Sequence, residues 1–479
     1  MAIFWITEAL PIAVTALIPV FLFPMVGILS VKDTSHEYIN DTNMLFVGGL
    51  IVAAAIEHWN IHRRLALKIL LKVGSEAKWL MLGLMGPTWF LSMWISNTAT
   101  AAMMVPITNA ILMQLKNTED EYKNTEGIYF YHSFDNPAME LDEIAVTVLP
   151  EDGIANDNIL EDNTKEAFTR LCKCLTLSIA YAANCGGIGS LTGTGPNLVM
   201  KGQLDIVLEE YGITQSPITF ASWMGFGVPL SFTLVIIVWI WLQIMFLRCK
   251  NCCGSRNPER AARVKAAIQR EYEKLGPITF GQGAVMAHFI VLAILWRHFV
   301  EELTPLLSWR AAVDKVPWGV VFLLGGGFAM AKASKESGLS AWVGEKLSVL
   351  DFLEPWVLNL VLCYIIAAMT EVTSNTATCT LMMPILANLA VHLKQTPIYL
   401  MFPTAIATSF AFMLPVATPP NAVIFSYGYV KVTDMVKAGF ILNVICVLVL
   451  IGFTETLGNK LFDFHTLPPE IALYYNNTT

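Results

Sequence analysis

Apolar stretches recur near residues 2–27, 44–56, 79–95, 98–115, 171–190, 219–247, 282–298, 317–333, 355–369, 376–392, 398–416 and 436–453. Several are shorter than the roughly 20 residues a helix needs to cross a bilayer, so re-entrant or broken helices are expected among complete crossings. Between 57 and 78 the pattern differs. Arg63, Arg64, Lys68, Lys72 and Lys78 are spaced among apolar residues, which predicts an amphipathic helix lying along a membrane surface. The 248–274 stretch carries eight Lys or Arg against three Asp or Glu, and by the positive-inside bias both segments face the cytoplasm.

Two of the polar interruptions have the same wording. Ser96-Asn97-Thr98-Ala99-Thr100, followed by Met104 and Pro106, returns 278 residues later as Ser374-Asn375-Thr376-Ala377-Thr378, followed by Met382 and Pro384. Gly48-Gly49 returns at the same offset as Gly326-Gly327, so residues 48–106 keep register with 326–384. Each copy then reaches a second polar break: Thr192-Gly193-Thr194-Gly195-Pro196-Asn197 in one, Ala417-Thr418-Pro419-Pro420-Asn421 in the other. The 116–169 stretch is acidic, rich in Asn, Asp and Gly and without sustained periodicity, and reads as a mobile insertion. Without its 54 residues the Asn97–Asn197 spacing of 100 becomes 46, the spacing of Asn375 and Asn421. Duplicated halves that carry interrupted apolar segments at matching places point to a secondary transporter and to its binding site.

Composition agrees with that class. With 55% hydrophobic and 14% charged residues and a mean hydropathy of +0.56, the chain holds more apolar sequence than one soluble core would use; it reads as an all-α polytopic protein of the lipid bilayer. The net charge of -8 gives no basic footprint for nucleic acid. Cys363, Cys379 and Cys446 lie in apolar spans as small hydrophobes. Cys249, Cys252 and Cys253 cluster beside Arg248 and Lys250, where palmitoylation or no modification fits better than zinc, since no His or fourth Cys completes a metal set. The chain has no HExxH, no GxSxG elbow and no Walker lysine, so an intramembrane enzyme is disfavoured.

A Ser-Asn-Thr triplet within apolar sequence offers hydroxyls and an amide, groups that donate to a carboxylate and present oxygens to a cation. Burying them without partners costs on the order of 1–3 kcal/mol each. Unwound Gly and Pro backbone exposes carbonyls that suit a hard cation such as sodium, and helix N-termini freed by the same breaks attract an anion. A single triplet is as well explained by close helix packing; two in register, each with a Pro-Asn break downstream, argue for a binding site. Glu8 and Glu371 are carboxylates within or beside apolar spans and so are functional candidates by default. Structural pairing is preferred for both, because the triplets already supply oxygens.

These residues resemble the divalent-anion/sodium symporters, the family of animal sodium-coupled citrate, dicarboxylate and sulfate carriers. The resemblance runs from Met1 to about Pro468, through Trp5-Ile6-Thr7-Glu8-Ala9-Leu10-Pro11, Leu91-Ser92-Met93-Trp94-Ile95, the TGTGPN box and Phe410-Ala411-Phe412-Met413-Leu414-Pro415-Val416. It implies an inverted-repeat transporter of the plasma membrane, with two re-entrant hairpins, two unwound helices and an elevator motion against a homodimeric scaffold. It implies a first sodium site from Ser92, Ser96, Asn97 and carbonyls of Gly193 to Gly195, and a second from Thr370, Thr373, Asn375 and the carbonyl of Ala417. Substrate contacts would come from Ser96, Asn97, Thr98, Ser374, Asn375 and Thr376, with Thr194 and Pro420 lining the pocket. The intact triplets and the Gly195-Pro196 pair look more like the citrate and dicarboxylate carriers than the sulfate carriers, so sodium-coupled symport of a di- or tricarboxylate is expected, with no organic cofactor; a sodium-sulfate symporter is the alternative. Overlapping sequons at Asn476 and Asn477 agree with an external C-terminus in the family.

On this reading residues 1–115 hold the first repeat's scaffold spans, the surface helix at 57–78 and a first hairpin at 79–115. The loop follows at 116–169, then the rest of the repeat with its unwound TGTGPN at 170–247 and a basic cytoplasmic loop at 248–280. The second repeat spans 281–393 with a hairpin at 355–393, continues over 394–456 with its unwound ATPPN, and leaves a tail at 457–479. Two departures stand against the family pattern. The chain opens almost at the WxTEALP motif, without the family's first span and much of its second. Between Trp296 and Trp309 it has twelve residues where the family has a further crossing. Losing one crossing between the copies would turn both hairpins to the same side, which leaves open a transport-incompetent splice form that acts as a partner subunit.

Overall fold

The computed structural model describes residues 9–39, 61–71, 76–132, 152–213, 216–247, 272–285, 318–339 and 353–464, with isolated positions elsewhere. All regular structure among them is helical. In chain order the helices are α1 (Ile12–Val26), α2 (Val31–Tyr38), α3 (Ile61–Leu70), α4 (Ala77–Ser92), α5 (Asn97–His132), α6 (Asp152–Ile188), α7 (Gly195–Glu210) and α8 (Phe220–Leu242). They continue as α9 (Trp318–Glu336), α10 (Pro355–Thr370), α11 (Asn375–His392), α12 (Pro397–Ala407), α13 (Pro419–Ser426), α14 (Val432–Phe453) and α15 (Asn459–Phe462). Glu8, the cysteines at 249, 252 and 253, residues 299–316, and Asn476 and Asn477 lie outside the described residues.

Prolines mark where helices begin. Pro196, Pro355, Pro397 and the pair Pro419-Pro420 occupy the first turns of α7, α10, α12 and α13, where a missing N–H costs nothing and the fixed φ is already helical. Thr219 and Ser222 close a capping box at the start of α8. Within 116–169, expected as a mobile loop, α5 continues to His132 and α6 begins at Asp152. Neither helical stretch contains proline, and Pro137 and Pro150 fall between them.

Three apolar segments among the described residues are long enough to cross a membrane: Glu166–Ile188, Phe220–Leu247 and Val432–Phe462. The first, the C-terminal part of α6, is almost wholly enclosed by other helices. It packs on α4, α5, α8 and α13. The other two are α8 and α14, each continued by a π-helical turn, Gln243–Leu247 and Thr454–Gly458. They run antiparallel: Trp241 near the end of α8 donates to the carbonyl of Ala438 at 3.1 Å, and Phe226 near its start meets Phe453, ring centroids 6.3 Å apart.

Helices α1, α2 and α9 form a smaller group. Gly27, at φ 75°, ends α1 with its N–H on the carbonyls of Phe23 and Pro24. α2 folds back, and the Tyr38 hydroxyl donates to the Ala16 carbonyl. Helix α9 runs parallel to α1, with Gly319 beside Ala13, Gly326 against the Ala16 backbone, and Ala329 and Ala333 packed with Phe23 and Leu29. Helix α3 falls within the 57–78 stretch expected as a surface helix. Arg64 donates to the carbonyls of Leu275, Gly276 and Pro277 at 2.9, 2.8 and 3.3 Å, so the two segments expected to share a membrane face are in contact.

Candidate functional site

Both triplets sit where one helix stops and the next starts. α4 ends at Ser92 and α5 begins at Asn97; α10 ends at Thr370 and α11 begins at Asn375. In the first copy the Ser92 hydroxyl lies 2.5 Å from Asn97 Oδ1 and 2.8 Å from the carbonyl of Ala183 on α6. In the second the Thr370 hydroxyl lies 2.6 Å from Asn375 Oδ1 and 2.8 Å from the carbonyl of Thr408. The two clusters are the same object built twice.

A hydroxyl has one proton and here faces two acceptor oxygens, so at each cluster it can donate to only one of them at a time. Three hard oxygens so close together repel one another and suit a small hard cation.

The second polar breaks are also built alike. Asn197, on the first turn of α7, donates its amide to the carbonyls of Gly187 and Ser190 at 3.0 and 2.7 Å. Asn421, at the same place in α13, donates to Ala411 and Leu414, both at 2.9 Å. Each asparagine reaches back ten and seven residues and ties the unwound segment into a loop. Both Oδ1 atoms are buried with no protein partner.

The breaks meet the triplets through glycine. A Cβ on Gly187 would lie 2.6 Å from Asn97 Oδ1, and one on Gly195 would lie 2.7 Å from the Thr376 hydroxyl. The first break therefore touches both triplets, and the start of α7 faces the start of α11. Two helix N-termini meeting over exposed hydroxyls form a place where an anion is favoured.

Ser96 and Thr98 are exposed, and Asn97, Thr194, Ser374, Asn375 and Thr376 are partly exposed. Thr194 is the N-cap of α7, and its hydroxyl makes no capping bond. Pro420 is buried, and Pro419 is the exposed member of the pair. Thr373 turns away from Asn375, bonding the Met369 carbonyl at 2.8 Å and the Thr378 hydroxyl at 2.6 Å. Gly193 packs against the backbone of Gly187, and Ala417 is buried with its N–H 3.3 Å from the Leu414 carbonyl.

Sequence reasoning missed the carbonyls of Ala183 and Thr408, which carry no side-chain signature, and the clamping role of Asn197 and Asn421, whose matched spacing was the available sign. Across the halves, the Tyr181 hydroxyl of α6 donates to the carbonyl of Phe412 at 2.9 Å, and Asn184 lies 3.4 Å from both the Ala411 carbonyl and the Thr418 hydroxyl.

Residues 1–464 match the family described as the sodium:sulfate symporter transmembrane region. The chain is 40% identical over 540 residues to rabbit (Oryctolagus cuniculus) solute carrier family 13 member 2, across 98% of this chain and 89% of that protein. It is 36% identical over 541 residues to the rat (Rattus norvegicus) Na(+)/citrate cotransporter, across 100% and 92%. It is 37% identical over 545 residues to the human Na(+)/dicarboxylate cotransporter 3, across 100% and 90%. Each alignment spans more positions than the 479 residues of this chain, so these relatives carry internal sequence that it lacks.

Proposed function

The chain belongs to the sodium:sulfate symporter family, a family of membrane transporters and not of enzymes, and from that premise we propose that it moves a di- or tricarboxylate of the succinate or citrate kind across the plasma membrane together with sodium ions. The observation that carries this reading is the pair of matching clusters, Ser92–Asn97–Ala183 and Thr370–Asn375–Thr408. Each supplies a hydroxyl, an amide and a carbonyl oxygen to one sodium ion. The exposed hydroxyls of Ser96 and Thr98 and the partly exposed ones of Thr194 and Thr376 then meet the substrate's carboxylates. Sodium bound beside them offsets the substrate's negative charge, which couples the two ions. The named activities of the relatives favour carboxylate over sulfate.

The halves act as an inverted repeat, a reading supported by the antiparallel course of α8 and α14. The α4–α5 and α10–α11 turns are the tips of two re-entrant hairpins, and 189–194 and 408–418 are the unwound segments. The chain works as a homodimer with an elevator motion, and the motion alone draws support from the packing of α1, α2 and α9 as a group that meets α11 through Gly327 against Thr380 and through Ala377.

Uptake of labelled succinate, citrate and sulfate by cells expressing this chain, with sodium or choline outside, tests the proposal. Sodium-dependent carboxylate uptake that disappears in Asn97→Ala and Asn375→Ala, with both variants still in the membrane, is the expected result. Sulfate uptake alone would move the substrate class. No uptake, combined with suppression of a co-expressed relative, would establish the partner-subunit reading.

A further inference from the structure

Glu371 is buried, and the clusters above do not use it. Its Oε1 accepts from the N–H of Phe412 at 2.8 Å, the N–H of Met413 at 3.1 Å and the Asn443 amide at 2.7 Å; its Oε2 accepts from the N–H groups of Met413 and Leu414, both at 3.1 Å. Every partner is a donor, the pattern of a carboxylate that only accepts. The carbonyls that flank these N–H groups are taken as well: Thr408 by Thr370, and Ala411 and Leu414 by Asn421. The second break is thus held from both sides, with the N–H groups of 412–414 on one carboxylate and the C=O groups of Ala411 and Leu414 on one amide.

The first break has the matching amide clamp of Asn197, but among the described residues no carboxylate gathers its N–H groups. The residue in register with Glu371 is Met93, which offers its backbone carbonyl to the Ser190 hydroxyl. Trp223 of α8 donates to the Ile188 carbonyl at 3.0 Å. The site pair and the asparagine clamps are duplicated; among the described residues the carboxylate is not.

We propose that Glu371 is a positioning residue for the second cation cluster: by gathering the N–H groups of 412–414 it aims the carbonyls of the 408–418 break, among them that of Thr408, at Asn375 and the bound ion. This role rests on the symport reading. It makes the second cluster dependent on a buried anion and leaves the first independent of it. Glutamine at 371 would keep the shape but turn an NH2 group toward backbone donors, so at least one N–H of 412–414 loses its acceptor.

The test uses purified full-length protein. Sodium-induced thermal stabilisation and backbone hydrogen exchange are measured for wild type and Glu371→Gln. The sodium concentration giving half-maximal stabilisation rises about tenfold, the size typical for loss of a group that orients a metal ligand. Exchange quickens over 408–418 and stays as in wild type over 186–194. A wild-type sodium response in Glu371→Gln, or equal loosening of both breaks, overturns the proposal while the symport reading stands. A wild-type protein indifferent to sodium removes the symport reading and this role with it. If Glu371→Gln does not reach the membrane, Asn443→Ala, which removes one donor and keeps the carboxylate, is judged by the same two measurements and moves them in the same direction.

Discussion

One proton shared between two oxygens is the condition at Ser92 and at Thr370. Alanine there removes the shared oxygen, whereas Ser92→Thr and Thr370→Ser keep it. Ser92→Ala and Thr370→Ala should each raise the sodium concentration for half-maximal uptake about tenfold or more, and the exchanges should stay near wild type, read from sodium activation of carboxylate uptake. Gly187→Ala should be as damaging as Asn97→Ala, because its Cβ would lie 2.6 Å from Asn97 Oδ1 and must push the amide away; uptake and surface labelling together separate this from misfolding. At this scale the sequence announced side chains and concealed backbone. The triplets were legible because they are written twice, but Ala183 and Thr408 contribute only carbonyls. Thr373 has no hydroxyl counterpart in the first copy, where the residue 278 positions earlier is Ile95.

The helices were legible at their starts and less so at their ends. Pro196-Asn197 and Pro420-Asn421 signalled α7 and α13 through fixed φ and a side chain able to reach back. The opening of the second break at Thr408 was hidden, because Phe410–Val416 is apolar throughout and reads as continued helix. Removing either clamp amide takes away two hydrogen bonds to the carbonyls of the break, at about 0.5–1.5 kcal/mol each. Asn197→Leu and Asn421→Leu should therefore lower the melting temperature of the purified protein by similar amounts. The helical extent of α5 and α6 also narrows what the chain can lose. Deleting 133–151 should leave uptake near wild type, and a deletion carried on to 165 shortens α6 and should not.

The whole molecule sets the topology. α9 runs parallel to α1, while α2 doubles back, so the chain leaves that group heading away from the Gly27 end before reaching α3. Lys68 on α3 and Glu336 at the end of α9, both exposed, should thus lie on opposite faces of the membrane. Single cysteines at the two positions, treated with an impermeant thiol reagent on intact cells, should label at 336 and stay protected at 68; labelling of both or neither would mean the two copies share one orientation. The tie from Tyr181 to Phe412 has a consequence in time as well as in space. Its partners are 231 residues apart, so a ribosome working at about 5–20 residues per second finishes the second roughly ten to fifty seconds after the first. Throughout that interval α6 already holds Tyr181 and Asn184 with nothing yet made to receive them, so the nascent first half must be sheltered, by the insertion machinery or a chaperone, until the last third of the chain emerges to close over it.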